Sequence, residues 1–133
     1  MERIATTLGF PVVILPDAAA GAMESAIRFL VDSLVVGGFL HAKSADEAVR
    51  NVLKREFLGS TALGEGVAMP HSNSSAVDRV VGILAHCASP VPWETPDGQQ
   101  VRTICLILAP VDRPGDYLRA LEQVAQAMKS SRG

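Results

Sequence analysis

Arg55-Glu56-Phe57-Leu58-Gly59-Ser60-Thr61-Ala62-Leu63-Gly64-Glu65-Gly66-Val67-Ala68-Met69-Pro70-His71 changes character twice. A helix-compatible start gives way at Gly59 to a glycine-rich, hydroxyl-bearing loop. That loop leads into a short apolar strand, which runs straight into Pro-His. Glycines let a backbone come close to a ligand, and their N–H groups can cradle an anion. Ser60 and Thr61 add hydroxyl donors, and Arg55 can pair with a phosphate. Pro70 fixes φ just before His71. An imidazole can act as a nucleophile at neutral pH. The spacing serves two readings equally: a phosphoryl site built on His71, or a turn histidine held by local hydrogen bonds.

Upstream, Ser44-Ala45-Asp46-Glu47 has the form of a capping box, with Ser44 as N-cap. Ala48, Val49, Val52 and Leu53 then give one helical face, ending near Leu58-Gly59. Before it, Met23, Ala26, Ile27, Leu30, Val31, Leu34 and Val35 recur at helical spacing, with Asp17 as candidate N-cap and Gly37-Gly38 as the stop. Pro11 to Pro16 brackets an apolar run that predicts an edge strand. Downstream, Val80–Cys87 and Val101–Ala109 predict buried strands, and Pro90–Gln100 a loop with an Asp97-Gly98 turn. Asp116 is expected to cap a last helix with Leu118, Leu121, Ala125 and Met128 on its inner face. Strand, helix, helix, several strands and helix together predict an α/β domain with a helix-covered sheet.

The composition bounds the rest. With 133 residues, 48% apolar and 20% charged, the chain can bury a core as one domain, residues 1–133. There is no linker or repeat. A net charge of −2, from 12 basic and 14 acidic residues, supplies no basic field for nucleic acid. Cys87 and Cys105 lie in apolar runs and are expected as reduced core residues. His41 is expected in a solvated loop, and His86 at a strand end. His86, Cys87 and Cys105 lack zinc-ligand spacing, so neither a metal nor a cofactor is expected. Met1 to Phe10 lacks the pattern of a signal peptide, and no apolar stretch approaches bilayer length. The expected location is the cytoplasm.

The Arg55–His71 stretch resembles the signature of enzyme IIA of the bacterial phosphotransferase system, fructose/mannitol type, which includes the nitrogen-regulatory enzyme IIA. Arg-Glu, Gly-Ser-Thr and Gly-x-Gly-Val-Ala-Met-Pro-His carry the likeness. Val80–Ala85, Pro96-Asp97-Gly98, Leu106-Ile107-Leu108-Ala109-Pro110 and Leu118-x-x-Leu121 extend it over nearly the whole chain. The resemblance implies a three-layer α/β/α fold with a mixed sheet. It implies that His71 accepts a phosphoryl group from the carrier protein HPr or its nitrogen-branch equivalent. It further implies passage of that group to an enzyme IIB cysteine, or its retention as a regulatory mark. Arg55 would offset charge, and Ser60 and Thr61 would orient the ring or bind phosphate oxygens. A membrane would be met only through a partner permease.

Three positions depart from the family pattern. Tyr117 stands where many members carry a second histidine, and a neutral phenol cannot set a positive charge beside a phosphoryl group. Ser72 replaces a glycine, and the helical part after Met128 is shorter than usual, closing on Ser-Ser-Arg-Gly. Tyr117 keeps open an alternative, a non-catalytic binding or regulatory module on the same fold. A metal-dependent hydrolase has little in its favour.

Overall fold

The computed structural model of this chain describes residues 2–130. Along it run α1 (Glu2–Leu8), β1 (Val12–Leu15), α2 (Met23–Val36), α3 (Ala45–Leu58), β2 (Ala62–Gly64) and β3 (Val67–Ala68). Then come β4 (His71–Ser74), β5 (Val81–Val91), β6 (Val101–Pro110) and α4 (Pro114–Ser130). The sheet has six strands in the order β1-β5-β6-β3-β2, with β4 also paired to β6. β1 runs parallel to β5, β5 antiparallel to β6, and β3 and β4 parallel to β6, so the sheet is mixed.

Helices cover both faces. Ile104, Leu106 and Leu108 of β6 join the apolar cluster that α2 and α3 fill with Ile27, Leu30, Leu34 and Val52. Cys105 and Ile107 point the other way, to Ala5 of α1 and Val124 and Met128 of α4. That is why β6 reads as an unbroken apolar run from Ile104 to Ala109: both faces of that stretch are buried. The expected three-layer α/β/α architecture is the one observed. Among the described residues, no helix is long and apolar enough to cross a membrane.

β1 lies at the sheet edge as expected, and α2 ends as its glycines suggest. Gly38 takes φ +81°, Phe39 N–H donates to the Leu34 carbonyl at 2.9 Å, and Gly38 N–H donates to that of Val35 at 3.0 Å.

The caps differ from expectation. Asp17 opens a single 3-10 turn, Asp17–Ala19, and its carboxylate accepts the Ser89 hydroxyl at 2.7 Å. At the start of α2 the Ser25 hydroxyl accepts the Ala22 N–H instead, at 3.3 Å. Ser44 ends another 3-10 turn with φ −99° and ψ −2°, and its side chain makes no capping bond. A capping hydroxyl needs the extended backbone that this turn denies it. Exposed His41 starts that turn, its Nδ1 accepting from Lys43 N–H at 3.3 Å.

β5 continues past Cys87 through Pro90 to Val91, which the sequence reads as loop. The register shifts between His86 and Val91, a bulge where a proline costs no ladder bond. α4 begins at Pro114, so Asp116 lies within its first turn, where it pairs with Arg119. Its inner face is Ala120, Val124 and Met128, with Tyr117 and Leu121 beside them, while Leu118 is exposed. Ser131, Arg132 and Gly133, where the sequence reading ends, lie outside the described residues.

Candidate functional site

β3 and β4 are two pieces of one strand line. Val67 faces Thr103, Ala68 faces Ile104 and His71 faces Ile107, all at the same offset along β6. Met69 and Pro70 fill the interruption. Met69 N–H donates to the Thr61 carbonyl at 3.2 Å, and the Pro70 carbonyl accepts Ile107 N–H at 3.0 Å. Proline has no N–H to leave orphaned at such a break. His71 is therefore the first strand residue after a gap, not a turn residue. Facing Ile107, its side chain lies on the α4 side of the sheet, where its ring meets Tyr117 edge-on with centroids 5.8 Å apart. α3 packs on β4 from the other layer and brings Arg55 and Glu56.

His71 Nδ1 lies 2.8 Å from the Met69 carbonyl. A carbonyl only accepts, so Nδ1 carries the hydrogen and donates. The neutral ring then keeps its lone pair on Nε2. Burial holds the ring's pKa below its ordinary 6.5. The Met69 carbonyl opposes that shift, Arg55 adds to it, and the Glu56 charge opposes it. Burial pushes Tyr117 up to about 12, with Arg55 pulling it back. At neutral pH the pair is a neutral imidazole against a neutral phenol, within the field of one guanidinium.

Thr61 reaches this site through its carbonyl, which receives Met69 N–H, but the hydroxyl hydrogens of Ser60 and Thr61 are spent elsewhere. Ser60 Oγ donates to the Glu94 carbonyl at 2.5 Å and accepts Ala62 N–H at 3.1 Å. Thr61 Oγ1 donates to the Glu56 carboxylate, which also accepts Thr61 N–H at 3.2 Å and Trp93 Nε1–H at 3.3 Å. The Met69 carbonyl therefore holds the His71 ring, and the hydroxyls brace the loop. Arg55 donates to the Gly59 carbonyl at 2.8 Å, and its charge reaches both His71 and Tyr117.

Glu56 escapes a reading based on chemistry motifs. It is buried, 7% exposed, and follows Val49 and Val52 on the inner face of α3. A carboxylate at an inner-face position was the available signal, because such a group needs hydrogen-bond partners.

The hairpin between β2 and β3 carries a second tie. Gly64, Glu65 and Gly66 all take positive φ, and Asp97 accepts Glu65 N–H at 2.6 Å and Gln99 N–H at 3.1 Å. The first of these bonds, then the second, lowers the Asp97 pKa. The tie is complete above the ordinary carboxylate range and is lost as pH falls through the lowered folded value. Asp97→Ala is expected to speed amide exchange at Glu65 and Gln99 while leaving the β5–β6 amides protected; equal protection at Glu65 in both proteins would remove Asp97 from this role.

Cys105 is buried and Cys87 half-buried, both free, and burial raises them to about 12 and about 11. His86 faces Ile14 and Thr103 in mid-sheet. Among the described residues, no group of three His, Cys, Asp or Glu side chains could hold a metal ion.

Residues 11–132 match the family described as "Phosphoenolpyruvate-dependent sugar phosphotransferase system, EIIA 2". A nitrogen regulatory protein of Bradyrhizobium diazoefficiens is 32% identical over 131 residues, covering 93% of this chain and 79% of that protein. The 2-O-alpha-mannosyl-D-glycerate-specific EIIABC component of Escherichia coli is 34% identical over 104 residues, covering 78% of this chain and 16% of that protein. Among solved structures, the nitrogen regulatory protein IIA-Ntr of Neisseria meningitidis superposes with a TM-score of 0.76 at 27% identity, covering 88% of this chain and 77% of that one.

Proposed function

This chain belongs to the EIIA 2 family of the phosphoenolpyruvate-dependent sugar phosphotransferase system, and from that premise we propose that it is a phosphoryl carrier whose acceptor is His71. One observation carries the assignment. His71 Nδ1 is tied to the Met69 carbonyl, which leaves the Nε2 lone pair as the nucleophile at a neutral, half-buried ring.

The donor in this reading is a phosphohistidine on HPr or on its nitrogen-branch equivalent. The Nε2 lone pair attacks phosphorus in line, the donor's N–P bond breaks, and its electron pair stays on the donor ring. The His71 ring, still carrying its Nδ1 hydrogen, becomes cationic. The Met69 carbonyl stabilises that charge, and the Arg55 guanidinium offsets the phosphoryl oxygens. Return of the N–P electron pair to the ring then lets an acceptor, such as an enzyme IIB cysteine thiolate, take the group. Phe57 and Leu58, 74% and 82% exposed on the helix turn that carries Arg55 and Glu56, supply an apolar docking rim.

The test is incubation with phosphoenolpyruvate, enzyme I and either HPr or its nitrogen-type equivalent, followed by intact mass. One acid-labile phosphoryl group mapped to His71 is the expected result. No gain with either donor would favour the second reading, a non-catalytic binding module, to which Tyr117 lends support. A cationic side chain at position 117 would stabilise the phosphoryl oxygens in flight. Tyr117→His is therefore expected to speed onward transfer by about tenfold, the worth of one charge-assisted hydrogen bond. An unchanged rate in rapid-quench measurements would mean that position 117 does not meet the moving group.

A further inference from the structure

We propose that Glu56 is a positioning residue: one buried carboxylate pins the Gly59–Thr61 loop, on which Met69 and through it His71 are held, to the loop around Trp93. The inference rests on the carrier reading for its functional consequence, though its physical basis does not. The same carboxylate accepts from Thr61 N–H, Thr61 Oγ1 and Trp93 Nε1, and so joins the Gly59–Thr61 loop to the loop around Trp93. The Ser60 hydroxyl ties those two loops a second time, at the Glu94 carbonyl. The pinned segment is also the one whose Thr61 carbonyl receives Met69 N–H, and the Met69 carbonyl in turn holds His71 Nδ1. Hydrogen bonds alternating with the backbone of Thr61 and Met69 therefore connect Glu56 to the ring it serves. A side chain present only to fill space would be apolar at this inner-face position, like Val52 and Val49 one and two turns earlier.

The charges of Arg55 and Glu56, both carried by α3, act on His71, and Tyr117 meets its ring from α4. Removing the Glu56 charge therefore moves the His71 titration to lower pH.

Glu56→Gln separates charge from geometry, because its amide oxygen still accepts from Thr61 N–H and Trp93 Nε1–H. In the full chain, the His71 ring-proton NMR titration of Glu56→Gln is expected to move to lower pH, and the acid limb of phosphoryl uptake to move with it. An unmoved His71 midpoint would overturn the charge role. Thr61→Val removes the hydroxyl arm of the clamp and keeps the charge. Its uptake at saturating donor is expected to fall about tenfold, with a red shift in the fluorescence of Trp93, the one tryptophan of the chain. Thr61→Ser, which keeps the hydroxyl, is expected to restore both. Valine and serine variants that behave alike would overturn the clamp. If the wild-type chain took up no phosphoryl group, the carrier reading would fall, and the NMR and fluorescence readings would still decide the role of Glu56.

Discussion

His71→Ala is expected to lower phosphoryl uptake by on the order of 10⁴-fold or more, since no remaining group replaces the proposed nucleophile. The fold is expected to survive. The half-buried ring makes one hydrogen bond, to the Met69 carbonyl, and one edge contact, with Tyr117. Losing them costs about 1–2 kcal/mol. Stability should also respond to pH in a way that identifies the ring. Because burial lowers the folded pKa of His71 below 6.5, its neutral form contributes stability above that value, and the contribution is lost as pH falls through the folded value. The alanine variant has no such component, so the gap between variant and wild type should narrow on acidification. Thermal melts on either side of 6.5 read this directly. Full uptake by His71→Ala from the same donor would place the acceptor elsewhere.

Why some parts were legible in the sequence and others not follows from where each element gets its stability. α2 could be read because its own side chains supply a complete apolar face from Ala26 to Leu34 and its glycines supply the stop. β6 could be read because burial on both faces demands an unbroken apolar run. β4 could not. His-Ser-Asn-Ser has no apolar alternation, and the strand exists because β6 offers it a ladder in register with β3. The caps at Asp17 and Ser44 misled for one reason: a 3-10 turn occupies each junction, and no motif of residue types distinguishes it from a helix start. Within the candidate site, His71 and Arg55 stand out by chemistry and spacing. Tyr117 enters only through family resemblance, because it lies far along the chain. Its contact with His71 depends on how α4 crosses the sheet. Ser60 and Thr61 were found as residues, while their partners Glu94 and Glu56 were set by loop geometry.

Gly82→Ala is expected to be the most damaging substitution of one small residue by another in this chain. A Cβ at Gly82 would stand 2.6 Å from Phe10 Cε2 and 2.9 Å from the Leu106 carbonyl oxygen. Neither neighbour can easily give. Phe10 is buried, 5% exposed, against α4 and the sheet, and the Leu106 oxygen belongs to the backbone of β6. Overpacking of this kind costs about 1–3 kcal/mol, and a backbone contact places the expected loss near the top of that range. For a domain of this size that lowers the melting midpoint by on the order of 10 °C. The consequence reaches the site because Gly82 faces Ile107, and Ile107 faces His71, in one row across three adjacent strands. Pushing β5 away from β6 at that row displaces the strand on which His71 is registered. Uptake measured well below the melting midpoint should therefore fall along with stability. Adding Phe10→Leu should relieve the ring contact but not the one with the Leu106 oxygen, so recovery should be partial. A melting midpoint unchanged in Gly82→Ala would mean that Phe10 and β6 separate at no cost, and close packing along this row would then have no part in holding His71 in place.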